Sequence, residues 1–155
     1  MVEFTHIRNE QAQMVDISAK SDVIREAVAV GKIFLRPETL AAIHEGTVVK
    51  GNVLATARVA ATLSVKNTSA LIPMCHQIPI SSIVVDFTEG ERYIETTVRV
   101  KTTGKTGVEM EALTGVSVAL LTIWDMVKSA EKDAQGQYPC TRIENIRVVE
   151  KLKGK

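Results

Sequence analysis

A lysine and an aspartate lie one helical turn apart at the end of the most apolar stretch of the chain. Asp125 and Lys128 directly follow residues 116–124, and a spacing of three positions makes their side chains neighbours on a helix. Most exposed pairs of this kind are only surface ion pairs, worth roughly 0–1 kcal/mol. At the edge of an apolar region, however, a partly desolvated lysine beside a carboxylate can donate and accept protons. The pair is therefore a candidate for proton transfer.

A second candidate is a short loop in which Cys75 and His76 lie between Pro73 and Pro79. The two prolines prevent a regular helix, and a stiff, nearly apolar loop can hold one imidazole in a site. A metal site is not favoured, because adjacent Cys and His cannot easily ligate one tetrahedral zinc and no C-x-x-C motif completes the ligands. Cys75 could be a nucleophile, although an unreactive buried thiol is the commoner case.

Two lysines beside glycines could bind an anion. Lys50-Gly51-Asn52 precedes a predicted helix, whose free amides and dipole favour negative charge. Lys105 follows Gly104 in the last residues of a P-loop motif, but the glycine that the motif needs five positions earlier is Arg99. A P-loop is therefore excluded. Two turns that each carry a lysine remain as possible anion sites, with ordinary solvated loops as the alternative.

The composition is that of one globular domain. The chain has 155 residues, is 45% apolar and 24% charged, and carries a net charge of +1. Cys75 and Cys140 do not form a secreted disulfide framework, which favours a reducing cytoplasm. A near-zero charge and an aromatic content of 4% argue against nucleic-acid binding. The N-terminus lacks the apolar core of an export signal, and the longest apolar stretch falls short of the ~20 residues of a membrane span.

The hydrophobic pattern predicts the order strand, helix, helix, strand, strand, helix, strand. Gly46 should end the first helix, Asn52 should cap the second, and Gly90 should supply positive φ in a hairpin. We expect an α+β fold, a ferredoxin-like two-layer sandwich with an antiparallel sheet and helices on one face, as a single domain over residues 1–155. The predicted strands are 22–35, 80–88, 92–102 and 141–151, and the helices are 40–45 after Pro37, 52–67 and 109–130.

The longest predicted helix carries more apolar surface than one sheet can cover. Its polar side chains form only a narrow stripe, and a second copy of the chain is the simplest cover for the rest. Glu111 and Asp125 share the stripe but lie ~21 Å apart along the axis at 1.5 Å per residue. If both act in one reaction, they must come from different subunits. The stripe consists of Glu111, Thr114, Thr122, Asp125, Ser129 and Lys132.

Several segments together resemble the MoaC family of cyclic pyranopterin monophosphate synthases. The resemblance runs in order from about residue 5 to 151, on residues 14–18, Lys50-Gly51 with 55–58, 71–76, 103–114 and 121–128. It implies a lyase of molybdenum cofactor biosynthesis that converts the small molecule 3′,8-cyclo-7,8-dihydro-GTP to cyclic pyranopterin monophosphate and diphosphate. It also implies a cytoplasmic homo-hexamer, a trimer of dimers, with ferredoxin-like subunits and active sites at the dimer interface.

The family's site residues can be carried over position by position. Asp125 matches the active-site aspartate, Lys128 its neighbouring catalytic lysine, and Lys50 and His76 further catalytic positions. The substrate-binding positions match Met74, Cys75, His76, Met110, Glu111 and, near the C-terminus, Lys151. The chain departs from the family at Asn52, where Asp is common, and after Lys151, where a glycine-rich stretch is usual.

The implied reaction needs cations for a triphosphate and proton transfer for rebuilding the ring, with no redox step. We expect no metal and no cofactor, since flavin, nicotinamide and iron–sulfur motifs are absent from the sequence. Our hypothesis makes Lys128 the principal general acid/base, oriented by Asp125. The alternative is a non-catalytic ferredoxin-like module that binds a nucleotide. A purely structural oligomer would leave Lys50, His76 and Lys128 unexplained as a set.

Overall fold

The computed structural model of the chain describes residues 7–8 and 11–154. A small strand pair, β1 (Ile7–Arg8) and β2 (Gln11–Ala12), precedes the main elements. The predicted order of strands and helices is confirmed, with this pair and a short helix, α3, as additions. The main elements are β3 (Val23–Phe34), α1 (Pro37–Glu45), α2 (Val53–Lys66), α3 (Thr68–Leu71), β4 (Ile80–Glu89), β5 (Tyr93–Gly104), α4 (Glu109–Glu131) and β6 (Arg142–Lys153).

The four long strands form one antiparallel sheet in the order β4-β5-β3-β6. Burial alternates along β5, so that one face of the sheet is in the core. Helix α4 packs against β3, β5 and β6, and α2 packs against α4 and β4. This arrangement is the predicted ferredoxin-like sandwich, in which helices cover one face of an antiparallel sheet.

Helix α4 is the core helix of the domain. Its length and apolar composition alone would suffice for a membrane span, but it lies on the sheet with its inner face fully buried. The buried apolar side chains of α4 pack with those of β3, β5 and α2 in one cluster. Those of α4 are Ala112, Val116, Ala119, Leu120, Ile123, Met126 and Val127.

Two glycines allow α4 to approach its neighbours closely. A Cβ at Gly31 of β3 would lie 2.8–2.9 Å from side-chain atoms of Val116, Leu120 and Ile146. A Cβ at Gly115 of α4 would lie 2.8 Å from Val65 of α2. Both distances are shorter than real side chains tolerate. The missing side chains therefore decide how tightly the helix layer sits on the sheet.

The element ends agree with the sequence signals except at one turn. Gly46 ends α1 with φ 69°, and Asn52 caps α2 by accepting a hydrogen bond from the Ala55 N–H at 2.9 Å. Gly90 was expected to need positive φ, which is wrong, since it is not among the positive-φ residues. A Cβ at Gly90 would instead overlap the ring of Tyr93. Glycine is required there for space and not for its backbone freedom.

Two buried threonines on β5 should respond in opposite ways to replacement by valine. Thr96 and Thr102 are both almost fully buried, but the Thr102 hydroxyl donates to the Pro79 carbonyl. The Thr96 hydroxyl has no partner among the residues that the structure describes. We expect Thr96→Val to raise the free energy of unfolding by about 1 kcal/mol and Thr102→Val to lower it by about 1 kcal/mol. Denaturant titration measures both, and a loss of stability in both variants would contradict this assignment.

Candidate active site

Three charged side chains meet at the C-terminal half of α4. Lys128 Nζ lies 2.8 Å from Asp125 Oδ1, which confirms the ion pair predicted from their spacing. Lys50 Nζ lies 3.0 Å from Asp125 Oδ2 and also donates to the Asp125 carbonyl oxygen at 2.8 Å. One carboxylate thus receives hydrogen bonds from two ammonium groups. We call Lys50, Asp125 and Lys128 the lysine–aspartate cluster.

The loop between α1 and α2 brings Lys50 to this cluster. A turn closes when the Gly51 N–H donates to the Val48 carbonyl at 2.9 Å, and Gly51 itself has φ 101°. Asn52 then caps α2, so the helix begins immediately after the turn. The sequence offered the turn with Lys50 as a possible anion site, with an ordinary solvated loop as the alternative. The ammonium group of Lys50 lies against α4, a contact between positions 75 residues apart that spacing along the chain does not reveal.

Solvent exposure and ion pairing together determine the protonation of the cluster. The side chains of Asp125 and Lys128 are 58% and 46% exposed, so both charged groups contact solvent within one chain. Hydrogen bonds from Lys128 and then Lys50 hold the pKa of Asp125 below its usual range. The hydrogen bond between Lys128 and Asp125 also raises the pKa of Lys128. The ion pair therefore favours an ionised Asp125 and a protonated Lys128 at neutral pH.

The loop with His76 lines a cavity of about 570 Å³ at the other end of α4. Its walls are residues 15–20, the loop 72–78 and the first residues of α4 with the turn before it. The predicted substrate-binding residues of both segments meet there, although Met110 and Glu111 are more than 30 positions from the loop. They are Met74, Cys75, His76, Met110 and Glu111.

Hydrogen bonds from two side chains hold residues 15–18, which precede β3, at this cavity. His76 Nε2 lies 2.7 Å from the Val15 carbonyl oxygen, and because a carbonyl only accepts, Nε2 carries the hydrogen. Lys105 Nζ donates to the Ser18 carbonyl oxygen at 2.9 Å. The turn with Lys105 therefore supports the cavity wall. Its lysine is engaged by the protein's own backbone.

Burial raises the pKa of two groups in the cavity. The Glu111 carboxyl is almost fully buried, and this burial, with the nearby charge of Glu109, raises its pKa. Burial and then the charge of Glu111 raise the pKa of the Cys75 thiol. A thiol that keeps its proton is a poor nucleophile, which disfavours covalent catalysis by Cys75. Glu111, in contrast, can hold a proton closer to neutral pH than an ordinary glutamate.

Lys151 of β6 contacts one of the residues that line this cavity. It forms an ion pair with Glu109, which lines the cavity at the start of α4. Burial pushes the pKa of Glu109 upward, but the hydrogen bond from Lys151, a backbone hydrogen bond and the charges of Lys151 and Arg25 together outweigh burial, and the net shift of the pKa is downward. Sequence reasoning missed Glu109. An acidic residue in the first turn of a helix is so common that it did not signal a site.

The cluster and the cavity lie at opposite ends of α4. Glu111 and Asp125 are separated by ~21 Å along the helix axis, and the structure of one chain does not join them. A smaller cavity of about 350 Å³ lies beside the lysine–aspartate cluster, between α1 and α4. Within residues 7–8 and 11–154, no group of three His, Cys, Asp or Glu side chains is placed to hold a metal ion.

Comparison with known proteins identifies full-length relatives. The profile of the MoaC family matches residues 14–154. A protein of Methanoregula boonei is 77% identical over 99% of both chains, and one of Methanosphaerula palustris is 68% identical over 99% of this chain and all of its own. A protein of Thermococcus onnurineus is 58% identical over 99% of this chain and 98% of its own. Each is named a probable cyclic pyranopterin monophosphate synthase.

Glu111→Gln should raise the melting temperature at neutral pH. Folding raises the pKa of Glu111, so its ionised form costs stability as the pH rises through that value, and glutamine removes the cost. The gain in melting temperature should vanish below about pH 4.3, which is the ordinary pKa of glutamate. Glu109→Gln is the matched control with the opposite sign, because folding lowers the pKa of Glu109. Melting temperatures of both variants and the wild type, measured from about pH 3 to 8, test this prediction. The same dependence on pH in both variants would contradict it.

Proposed function

Because this chain belongs to the MoaC family, we propose that it is a cyclic pyranopterin monophosphate synthase, a lyase of molybdenum cofactor biosynthesis. Its substrate is 3′,8-cyclo-7,8-dihydro-GTP, and its products are cyclic pyranopterin monophosphate and diphosphate. The lysine–aspartate cluster is the observation that carries this assignment. Two exposed ammonium groups held on one carboxylate form a site with excess positive charge, and the reaction releases a highly charged anion.

The cluster suits the phosphate chemistry of the reaction. Closing a cyclic phosphate requires a substrate oxygen to attack the phosphorus next to the sugar while diphosphate departs. Negative charge then develops on the leaving group, and fixed cations lower the barrier by neutralising it. Asp125 keeps Lys50 and Lys128 about 3 Å from its own oxygens, so both cations are oriented before the substrate arrives. Lys151 is a further cation for the substrate at the cavity.

The cavity suits the purine-derived ring. At about 570 Å³ it has the size of a small-molecule site, and Met74 and Met110 give it adaptable apolar walls. Glu111 and His76 provide polar groups in the same walls. Since His76 Nε2 donates to the Val15 carbonyl, Nδ1 is the nitrogen that can exchange a proton with the ring. Glu111, whose pKa burial raises, is the second candidate for proton exchange.

Lys128 acts as a proton donor and charge stabiliser. Its bond to Asp125 raises its pKa, so it is protonated when the substrate binds. This role is narrower than that of a general acid and base, and it follows from the ion pair with Asp125, which favours the protonated form of Lys128. Acceptance of a proton belongs to groups in the cavity, where burial raises the pKa of Glu111 and so makes its ionised carboxylate a stronger base.

One active site requires two copies of the chain in this proposal. A substrate of GTP size cannot contact both ends of α4 in one subunit, but the cluster of one protomer can face the cavity of its partner. Large apolar side chains remain exposed on α4 and β6, with Met110 at 41%, Leu121 at 58% and Leu152 at 51%, and a second copy would cover such residues. A homo-hexamer built as a trimer of dimers, with the sites at the dimer interfaces, accommodates this pairing.

Lys128→Met should abolish the release of diphosphate from the cyclic triphosphate substrate. The change keeps the apolar stem and removes the ammonium group that neutralises the leaving group, so turnover should fall by at least ~100-fold. Lys132→Met is the matched control, because Lys132 is an exposed lysine next to the C-terminus of α4 that lies outside the cluster. Substrate binding without diphosphate release by the unmodified protein would favour the non-catalytic module instead.

Two inactive variants should restore activity when they are combined. Lys128→Met removes one cation of the cluster and Glu111→Ala removes a carboxyl of the cavity, so a mixed dimer would have one site with both defects and one intact site. Refolding an equal mixture should recover about a quarter of wild-type turnover if dimers form at random. Mixing after refolding, without subunit exchange, is the control. Absence of recovery in verified mixed oligomers would show that each site comes from a single chain.

A further inference from the structure

Helix α1 and the loop after it are attached to α4 at both ends. We call residues 36–50 the α1 bridge. At its start, the Arg36 backbone N–H donates to Glu131 Oε1 at 3.2 Å, and the Thr39 hydroxyl donates to the same oxygen. At its end, Lys50 binds the side chain and the carbonyl of Asp125. The bridge therefore spans from the last residue of α4 back to the lysine–aspartate cluster.

Glu131 replaces a local cap for α1. Arg36 is the N-cap residue and makes no side-chain cap hydrogen bond. In a capping box, a glutamate in the first turn of the helix itself accepts the N–H of the N-cap residue. Here Glu131, from the end of another helix, accepts that N–H and is itself completely buried. The start of α1 is thus fixed by a tertiary contact.

Packing alone holds α1 only in part. Thr39 and Leu40 are its only buried residues, and Ile43 and Val48 contact the core as half-buried side chains. The cavity of about 350 Å³ lies between the α1 bridge and α4, with Met126 among the residues on the α4 side. Because side chains do not fill this space, the hydrogen bonds at the two ends of the bridge help to set its distance from α4.

We propose that Glu131 is a positioning residue for the reaction, which acts through the α1 bridge to place Lys50 beside Asp125 and Lys128. The inference rests on the proposed function of the lysine–aspartate cluster. The two oxygens of Glu131 serve different elements, since Oε2 accepts a hydrogen bond from the Thr141 hydroxyl at 2.5 Å, just before β6. Substitutions can therefore remove the hydrogen bond between Glu131 and α1 without removing the one between Glu131 and Thr141.

Thr39→Val and Thr141→Val in the full-length enzyme form the matched test. Each removes one hydroxyl donor to Glu131 and keeps the shape of the side chain. Amide hydrogen exchange reports on the bridge at Thr47 and at Gly51, the residue after the bridge, because their N–H groups donate to the Ala42 and Val48 carbonyls within it. We expect Thr39→Val to speed exchange there by about 2- to 10-fold, as the loss of one net hydrogen bond allows, and to lower kcat. Thr141→Val should lower the melting temperature but change neither the exchange rates at Thr47 and Gly51 nor kcat.

Glutamate variants provide the second arm. Glu131→Gln retains an oxygen for Arg36 and Thr39, and its amide can donate to the Thr141 hydroxyl, so wild-type exchange and kcat are expected. Glu131→Ala should speed amide exchange in the α1 bridge and lower kcat by more than Thr39→Val does. Equal effects of the two threonine variants, or a loss of kcat in Glu131→Gln, would overturn the proposal. The exchange measurement needs no turnover, so an inactive wild type with the expected exchange pattern would count against the proposed function and leave the attachment of α1 standing.

Discussion

The close packing of α4 on the sheet is the contact on which the remaining structure depends. A helix of 23 residues spans about 34 Å, and its buried residues run along nearly all of that length, from Glu111 to Glu131. Gly31 permits that contact because a side chain there would collide with Val116 and Leu120 of α4, and Gly115 likewise permits the close contact of α4 with Val65 of α2. The rigid helix separates the two functional groups of the chain, one at each end. A site that needs both must therefore be assembled from more than one α4.

Two carboxyl groups on this one helix acquire opposite properties from their surroundings. Glu111 is buried beside Glu109, and its pKa is raised, whereas Asp125 is exposed between two lysines, and its pKa is lowered. A pair of acids whose environments push their pKa values apart is the usual basis for dividing proton transfer from charge stabilisation. In the proposed enzyme, the cavity exchanges protons and the lysine–aspartate cluster neutralises phosphate.

Most of the fold follows from local signals, and the exceptions have local causes. Helix α4 and strands β3 to β6 were predicted within about three residues, because their periodicity and their Gly, Pro and Asn boundaries are strong. Gly90 was interpreted wrongly, since a glycine needed for space looks the same in a sequence as one needed for positive φ. Helix α3 has four residues, too few to show a period.

The candidate site divides in the same way between local and long-range information. The chain alone identified the Asp125–Lys128 pair, the His76 loop and the distance between Glu111 and Asp125, because each depends on helical spacing or on a short segment. Folding decided that Lys50 joins Asp125, that Lys151 meets Glu109 and that Glu131 anchors α1. These contacts join residues 42 to 95 positions apart, and burial, which shifts the pKa of Glu111, exists only after the layers pack. Pairing across such separations depends on sheet register and helix placement, which no local pattern encodes.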